Sequence, residues 1–276
     1  MNWAEYSFKS RNLALLAVIL AVVFLLPIEA QLKTVSALPH LTVWAWERDE
    51  DLSYIDPSQV DVAYFAGNIY VQGSLVEFRP RKQKLKLPKG ACTFPVFRIE
   101  SVRRLGAQSN GNADAANLKA ADYVAQTIAN QMKRQGYPKM VQIDFDALED
   151  ERPFYKALLR NLHRDLPVGT KISITALASW LLADKWIEPG SCDEVVAMLF
   201  SIGPGKKDVL SRLKRETLDA GAAIPVAIGI SASESATNKS LFESKLQRNT
   251  DSLYIFSSRP WTENRLRDII REALDR

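Results

Sequence analysis

Eight short segments rich in β-branched and aromatic residues recur along this chain, at 41–46, 60–65, 93–99, 140–145, 171–176, 195–200, 224–230 and 253–256, with helical stretches between them. Strands that alternate with helices predict a parallel sheet, because a parallel neighbour is reached only through a long return connection. The helical stretches carry their own punctuation. Between 114 and 135, Leu118, Ala121, Val124, Ile128 and Met132 fall three and four residues apart, and Gly136 followed by Pro138 stops the run. Asp150 is placed to cap a helix that has Pro153 in its first turn and Phe154, Leu158 and Leu162 along one face. Thr262 is placed to cap the last helix, with Trp261 and Leu266 spaced as a hydrophobic staple.

The number of strands matches the length once the N-terminus is set apart. Residues 13–28 contain no polar side chain and follow Lys9 and Arg11, which is the layout of an export signal. The run is shorter than the roughly 20 residues that span a bilayer as a helix. Two outcomes stay open: a signal peptide over 1–30, cleaved after Ala30, or a retained N-terminal membrane anchor. Both place 31–276 outside the cytoplasm, in the periplasm or anchored to the inner membrane and facing it. That length fits a (β/α)8 barrel of about 250 residues, so the expected fold class is α/β, a TIM-barrel-like single domain. An open doubly wound sheet is the alternative, but no GxGxxG follows a strand and 203–207 has the wrong spacing for a P-loop.

One segment departs from the alternation. After Gly67 the chain reads as strand to 78, and then Arg79, Arg81, Lys82, Lys84, Lys86 and Lys89 crowd together, interleaved with Leu85 and Leu87. This predicts a basic β-hairpin insertion at 68–90, after strand 2. It is either a half-buried edge strand whose charges face water and block further pairing or an anion-binding or membrane-facing patch. With 36 basic and 32 acidic residues the net charge of +4 is too mild to imply nucleic acid. An oxidising compartment permits a Cys92–Cys192 disulfide, but both residues sit at the starts of strands far apart around a closed sheet, and two separate buried thiols are expected.

The stretch from Val141 to Asp146 carries most of the functional signal. Side chains alternate across a strand, so Val141, Ile143 and Phe145 share one face and Gln142, Asp144 and Asp146 the other. In a barrel the second set points to the axis, where carboxylates are costly unless paired or used. Asp146 stands at the carboxyl end of its strand, where barrel sites are built. Other strand ends supply Trp46, Glu47 and Arg48, then Thr175 with Trp180 beyond it, and Arg259; Glu234 is a third carboxylate candidate. Rings stack on sugar faces while charged groups bind hydroxyls, so this set suits a polyhydroxylated ligand. Other chemistries lack their residues. His40 precedes strand one, His163 lies in a helix's last turn, and there is no HExxH, CxxC or histidine cluster, so neither a Ser-His-Asp triad nor a metal or cofactor is expected. Carboxylate chemistry outside the cytoplasm points to glycoside cleavage, which uses two carboxyl groups about 5 to 9.5 Å apart. Asp144 and Asp146, attached roughly 6.5 to 7 Å apart by the strand rise, are the catalytic candidates, with Glu47 as an alternative partner. Gln142, Trp46, Arg48, Thr175, Trp180 and Arg259 are the candidate substrate-binding residues, and polysaccharide or oligosaccharide is the expected partner.

The segments LTVWAWER (41–48), VQIDFDA (141–147), SITALASW (173–180), MLFSIG (198–203) and the closing FSSRPW together resemble the bacterial domain-of-unknown-function 3142 family. The resemblance covers most of the exported part and implies an exported or lipid-anchored barrel-like protein with no established activity. The aspartate pair is also similar to the DxDxE strand of chitinase-like glycoside hydrolases. Here Leu148 stands where that motif places its acid, and Glu149 is one residue out of phase. That departure leaves two further readings beside cleavage: a non-catalytic glycan-binding or envelope-assembly protein, and a protein–protein scaffold.

Overall fold

A computed structural model describes residues 40–101, 112–221, 224–242 and 252–274; the expected export segment lies outside the described residues. In chain order the elements are β1 (His40–Ala45), β2 (Glu50–Asp51), β3 (Val60–Gln72), β4 (Leu75–Pro80), β5 (Leu85–Lys86), β6 (Thr93–Ser101), α1 (Asn112–Arg134), β7 (Met140–Asp144), α2 (Arg152–Asp165), β8 (Lys171–Leu177), β9 (Glu194–Met198), α3 (Lys206–Leu213), β10 (Val226–Ser231), α4 (Ser235–Phe242), β11 (Ser252–Phe256) and α5 (Glu263–Leu274). Each of the eight segments expected from sequence is a strand. They pair in the order β1-β3-β6-β7-β8-β9-β10-β11, and β11 returns to β1, so the sheet closes into a parallel (β/α)8 barrel.

Alternation along each strand divides the core in two. Val43, Ile143, Ile174, Val195, Ile230 and Ile255 face outward and are covered by the helices, while Trp44, Phe94, Val96, Val196, Ala227 and Tyr254 fill the barrel. The coverage is irregular. The first crossover carries β2 in place of a helix, the second carries the hairpin, and the β8–β9 connection carries a single π-turn, Trp180–Asp184. Among the described residues no helix is long and apolar enough to cross a membrane.

Local signals explain most element ends. Gly136 takes φ 75°, and the Tyr137 N–H donates to the Met132 carbonyl, closing α1 with a Schellman turn. Ala121, Val124, Ile128 and Met132 are buried as their spacing requires, but Leu118, one turn nearer the start, is exposed. At α2 the cap differs from expectation. A 3-10 turn, Glu149–Glu151, precedes the helix, and the Glu151 carboxylate, not Asp150, accepts the Leu148 N–H at 2.9 Å. Thr262 does cap α5, its hydroxyl accepting the Arg265 N–H at 3.2 Å. Both cysteines are free; Cys192 is buried, whereas Cys92 is exposed, against the expectation of two buried thiols.

The basic segment resolves into an edge strand and a clamp. β4 pairs only with the second half of β3, antiparallel, and β5 adds to β2 in a separate two-stranded sheet. Lys82, Lys84 and Lys86 are exposed while Leu85 and Leu87 are half-buried against the core, which is the alternation of an edge. Arg79 pairs with Glu77 and Lys86 with Asp51. Arg81 turns inward and donates to the carbonyls of Ala45, Trp46 and Arg48, fixing the chain as it leaves β1.

The hairpin depends on a close approach at Gly67, where β3 carries a bulge and φ is 153°. A methyl group there would overlap the Arg79 carbonyl and the Pro80 Cα. Gly67→Ala is therefore expected to destabilise the fold by roughly 1–3 kcal/mol, measured by urea denaturation; a change within about 0.5 kcal/mol would show that the crossing is slack.

Candidate active site

The parallel strands all end at one mouth of the barrel, and a cavity of about 460 Å³ opens there. Its floor is Trp44. The indole is buried, donates its N–H to the Gln142 side-chain oxygen at 2.7 Å, and lies over Gly229 of β10. A Cβ at Gly229 would come within 3.2 Å of the Trp44 ring and of the Ala197 carbonyl, so glycine there makes room for the indole. Below the floor the polar side chains satisfy one another. Gln142 donates to Ser173 at 3.0 Å, and Ser173 and Tyr254 both donate to Glu194, at 2.8 and 2.6 Å.

The cavity wall is two-sided, and the strand order accounts for it. β6, β7 and β8 are consecutive around the barrel and present Arg98, Asp144, Asp146 and Thr175. The rest of the wall runs from β9, next to β8, round to β11 and β1, which present Met198, Phe200, Phe256 and Trp46. The rings form one surface: Phe200 and Phe256 stack with centroids 5.2 Å apart and an interplanar angle of 6°, and Trp46 meets Phe256 edge-on at 6.1 Å.

Asp144 is only 6% exposed. Its carboxylate accepts from the Thr175 hydroxyl at 2.8 Å and from Arg98 at 3.4 Å, and Arg98 also donates to Glu100 at 2.7 Å. Burial pushes the Asp144 carboxyl up to about 6, opposed by Arg98 and reinforced by the charge of Asp146. Asp146, two residues on and exposed toward the mouth, is also raised, first by burial against the wall and then by Glu100, with Arg98 opposing. Raised carboxyl groups gathered in a cavity are the electrostatic mark of a functional site.

Of the sequence candidates, the cavity brings together Asp144, Asp146, Trp46 and Thr175. Gln142 lies beneath, hydrogen-bonded to the floor. The remaining candidates lie elsewhere. Glu47 is exposed and outside the cavity lining. Arg48 binds Glu50 at 2.6 Å and the carbonyls of Ser257 and Ser258, joining the β1 and β11 exits. Trp180 packs outside the barrel against Trp186, centroids 5.0 Å apart, and Tyr155. Arg259 is exposed beyond β11 and outside the cavity lining. Glu234 accepts the Ser201 N–H at 2.7 Å and binds Lys206 at 3.0 Å, which holds the 201–206 loop as part of the rim. Sequence reasoning missed Arg98, Phe200 and Phe256. The alternation that places Phe97 and Ile99 outward in β6 puts Arg98 inward, so the same reasoning applied to β6 finds it.

No protein-family model matches the chain, and no curated protein matches its sequence. Among solved structures, the spore cortex-lytic enzyme SleL of Bacillus cereus is similar with a TM-score of 0.45 and 17% identity, over 71% of this chain and 51% of that one. A GH113 beta-1,4-mannanase is similar with a TM-score of 0.46 and 8% identity, over 82% of this chain and 91% of that one. The chain thus spans about half the length of the SleL chain. The likeness is one of overall architecture.

The Asp144 shift has a thermodynamic consequence. Its native value lies above the ordinary 3.8, so the folded state holds this proton more tightly than the unfolded chain. The stability this confers is complete below about pH 4 and is lost as pH rises through about 6. Asp144→Asn cannot ionise, and is expected to gain on the wild type by about 1–3 kcal/mol between pH 4 and pH 7. Urea denaturation at the two pH values measures this, and a pH-independent difference would refute the desolvation of this carboxyl.

Proposed function

We propose that the protein is a carbohydrate-active barrel of the glycoside hydrolase type, in which the cavity holds a sugar between its aromatic and carboxylate walls. The observation that carries this is Asp144, a buried carboxyl titrating near 6 beside the more exposed Asp146 and facing rings across the barrel. A carboxyl that keeps its proton toward neutral pH can donate it to a glycosidic oxygen, and a second, ionised carboxylate can activate water or attack the sugar. Asp144 takes the acid role and Asp146 the second. Arg98 opposes the rise of Asp144. The apolar run at 13–28 supports export of the domain to the periplasm or the outer face of the inner membrane, and the blocks at 41–48 and 141–147 support membership of the domain-of-unknown-function 3142 family.

A second reading, glycan binding without cleavage, has its own observation. Leu148, where a DxDxE strand carries its acid, is exposed, and neither it nor Glu149 lines the cavity. The two readings separate on product formation. For cleavage, kcat/KM on a hydrolysed polysaccharide is expected to fall as pH rises above about 6, following Asp144, and Asp144→Asn to lower kcat by about 10²–10⁴-fold. If Asp144→Asn and Asp146→Asn both retained full activity on a glycan the wild type cleaves, the catalytic assignment would be wrong; glycan binding without any product would establish the second reading.

A further inference from the structure

Three strands run on past the barrel rim. β3 pairs with β1 only as far as Tyr64, and β6 pairs with β7 only as far as Arg98, yet β3 and β6 stay paired to Val71 and Ser101. β4 takes the edge of β3 that β1 leaves. Parallel strands end at the mouth, so this arm stands there, reaching roughly 10 Å beyond Arg98 at a rise of about 3.3 Å per residue.

The bulge between Phe65 and Gly67 decides which side chains face the mouth. Ala63 points into the barrel and Phe65 lies against Trp46, so unbroken alternation would carry Ile69 and Val71 to the same side. The extra residue exchanges the faces. Ile69 and Val71 join the outer core with Phe97, Ile99 and Phe78, and Asn68 and Tyr70 turn to the side that continues the cavity wall. Re-aiming side chains next to an active site is a recurrent use of bulges. The strand register then sets that side in two rows: Asn68 between Arg98 and Arg79, and Tyr70 between Glu100 and Glu77. Arg98 donates to Glu100 and Arg79 to Glu77, both at 2.7 Å, and the Arg79 guanidinium lies 4.5 Å from the centre of the Tyr70 ring. These four charged side chains are 37–61% exposed.

We propose that this face of the arm is a second binding surface, on which a neutral glycan chain that fills the cavity lays its following units. The proposal rests on the glycan reading above and adds to it the length of chain recognised and the direction the chain takes, out over Glu100 and Tyr70. Continuity with the cavity supports it: Arg98 lines the cavity, and Glu100, next on the same face of β6, begins the arm. Two cations and two anions cancel, so the face does not select an acidic or a basic polymer. Guanidinium donors and carboxylate acceptors alternate across the three strands, and together they can hydrogen-bond hydroxyl groups, which both donate and accept. Among the described residues the one exposed large apolar side chain of this face is Leu75, at the hairpin tip, which is too little for the core of a protein interface.

The test is calorimetric titration of the full chain with two neutral series, β-1,4-linked mannose oligomers and N-acetylglucosamine oligomers, each from dimer to hexamer. In the series that binds, affinity is expected to climb with length, the hexamer binding roughly tenfold tighter than the dimer, an increment that a few added hydrogen bonds supply. The double variant Glu77→Ala/Arg79→Ala keeps the net charge and changes only exposed side chains of the edge strand; it should remove most of that gain and leave dimer affinity as in the wild type. Tyr70→Ala is the second variant, and urea denaturation checks that each is folded. The gain should also persist in raised salt, because the chain is neutral. Affinity that does not rise with length, or a rise that survives both variants, overturns the arm proposal and leaves the glycan reading standing. A rise that salt abolishes overturns the neutral chain. If a polysaccharide binds and neither oligomer series does, the double variant should weaken that binding by roughly tenfold, and unchanged binding overturns the proposal. Failure of both series and of mannan, xylan and β-glucan to bind overturns the glycan reading, and this surface with it.

Discussion

Trp44 sits where the interior of the barrel stops being core and starts being cavity. Its indole fills the axis, and three independent features hold it there: the hydrogen bond to Gln142 on β7, the missing side chain at Gly229 on β10, and contact with Tyr254, centroids 5.3 Å apart, on β11. Its carbonyl accepts the Trp261 indole N–H at 2.9 Å, so the same residue ties the interior to the packing of α5. A smaller side chain at this level would open the interior down to the Ser173–Glu194–Tyr254 network. The depth of the cavity, and hence the height at which Asp144 meets a ligand, is set by this one ring.

Above that floor the barrel is divided by strand order. Consecutive parallel strands put their end residues side by side, so β6, β7 and β8 can pool an arginine, two aspartates and a threonine without long loops reaching across. The arc from β9, beside β8, round to β11 and β1 supplies the rings, and these pack on one another before any ligand arrives. Preformed walls of this kind leave little ordering to be done on binding. The rim is fixed by separate devices. Arg81 holds the chain after β1 and Glu234 holds the loop after β9, where Ser201 takes φ 52°, a left-handed conformation that costs energy in a residue with a Cβ.

The barrel was legible in the sequence because its strands advertise themselves by composition and alternation, and the polar face of β7 was legible for the same reason: Gln142, Asp144 and Asp146 follow one another on one face while Val141, Ile143 and Phe145 occupy the other. The cavity's membership was less so. Proximity to a strand end does not say whether the chain continues inward or turns away once pairing stops. Glu47 and Arg259 follow their strands in sequence but lie where the backbone has left the axis, and Arg48 is taken by backbone carbonyls that need a donor. Trp180 opens the π-turn that follows β8 and joins the outer aromatic cluster. Arg98 was hidden by its neighbours, since a strand with five buried residues reads as uniformly apolar unless its two faces are counted separately.

The end of β7 also explains why chemistry at this site falls to the two aspartates. Strand pairing stops at Asp144, and the Ala147 N–H already closes on the Phe145 carbonyl, so the chain turns over the rim within three residues. Phe145 and Ala147 are buried on the outer side, Asp146 is left at the mouth, and the next side chain of the same phase, Leu148, has passed outside the barrel. A third inward residue would need the strand to run on by one more pair. The Glu151 carboxylate instead binds the Leu148 N–H and starts α2 there. The turn that caps the helix is therefore what limits the carboxylates of this strand to two, and it makes the burial of Asp144, more than the number of acids, the source of any acidity the site can use.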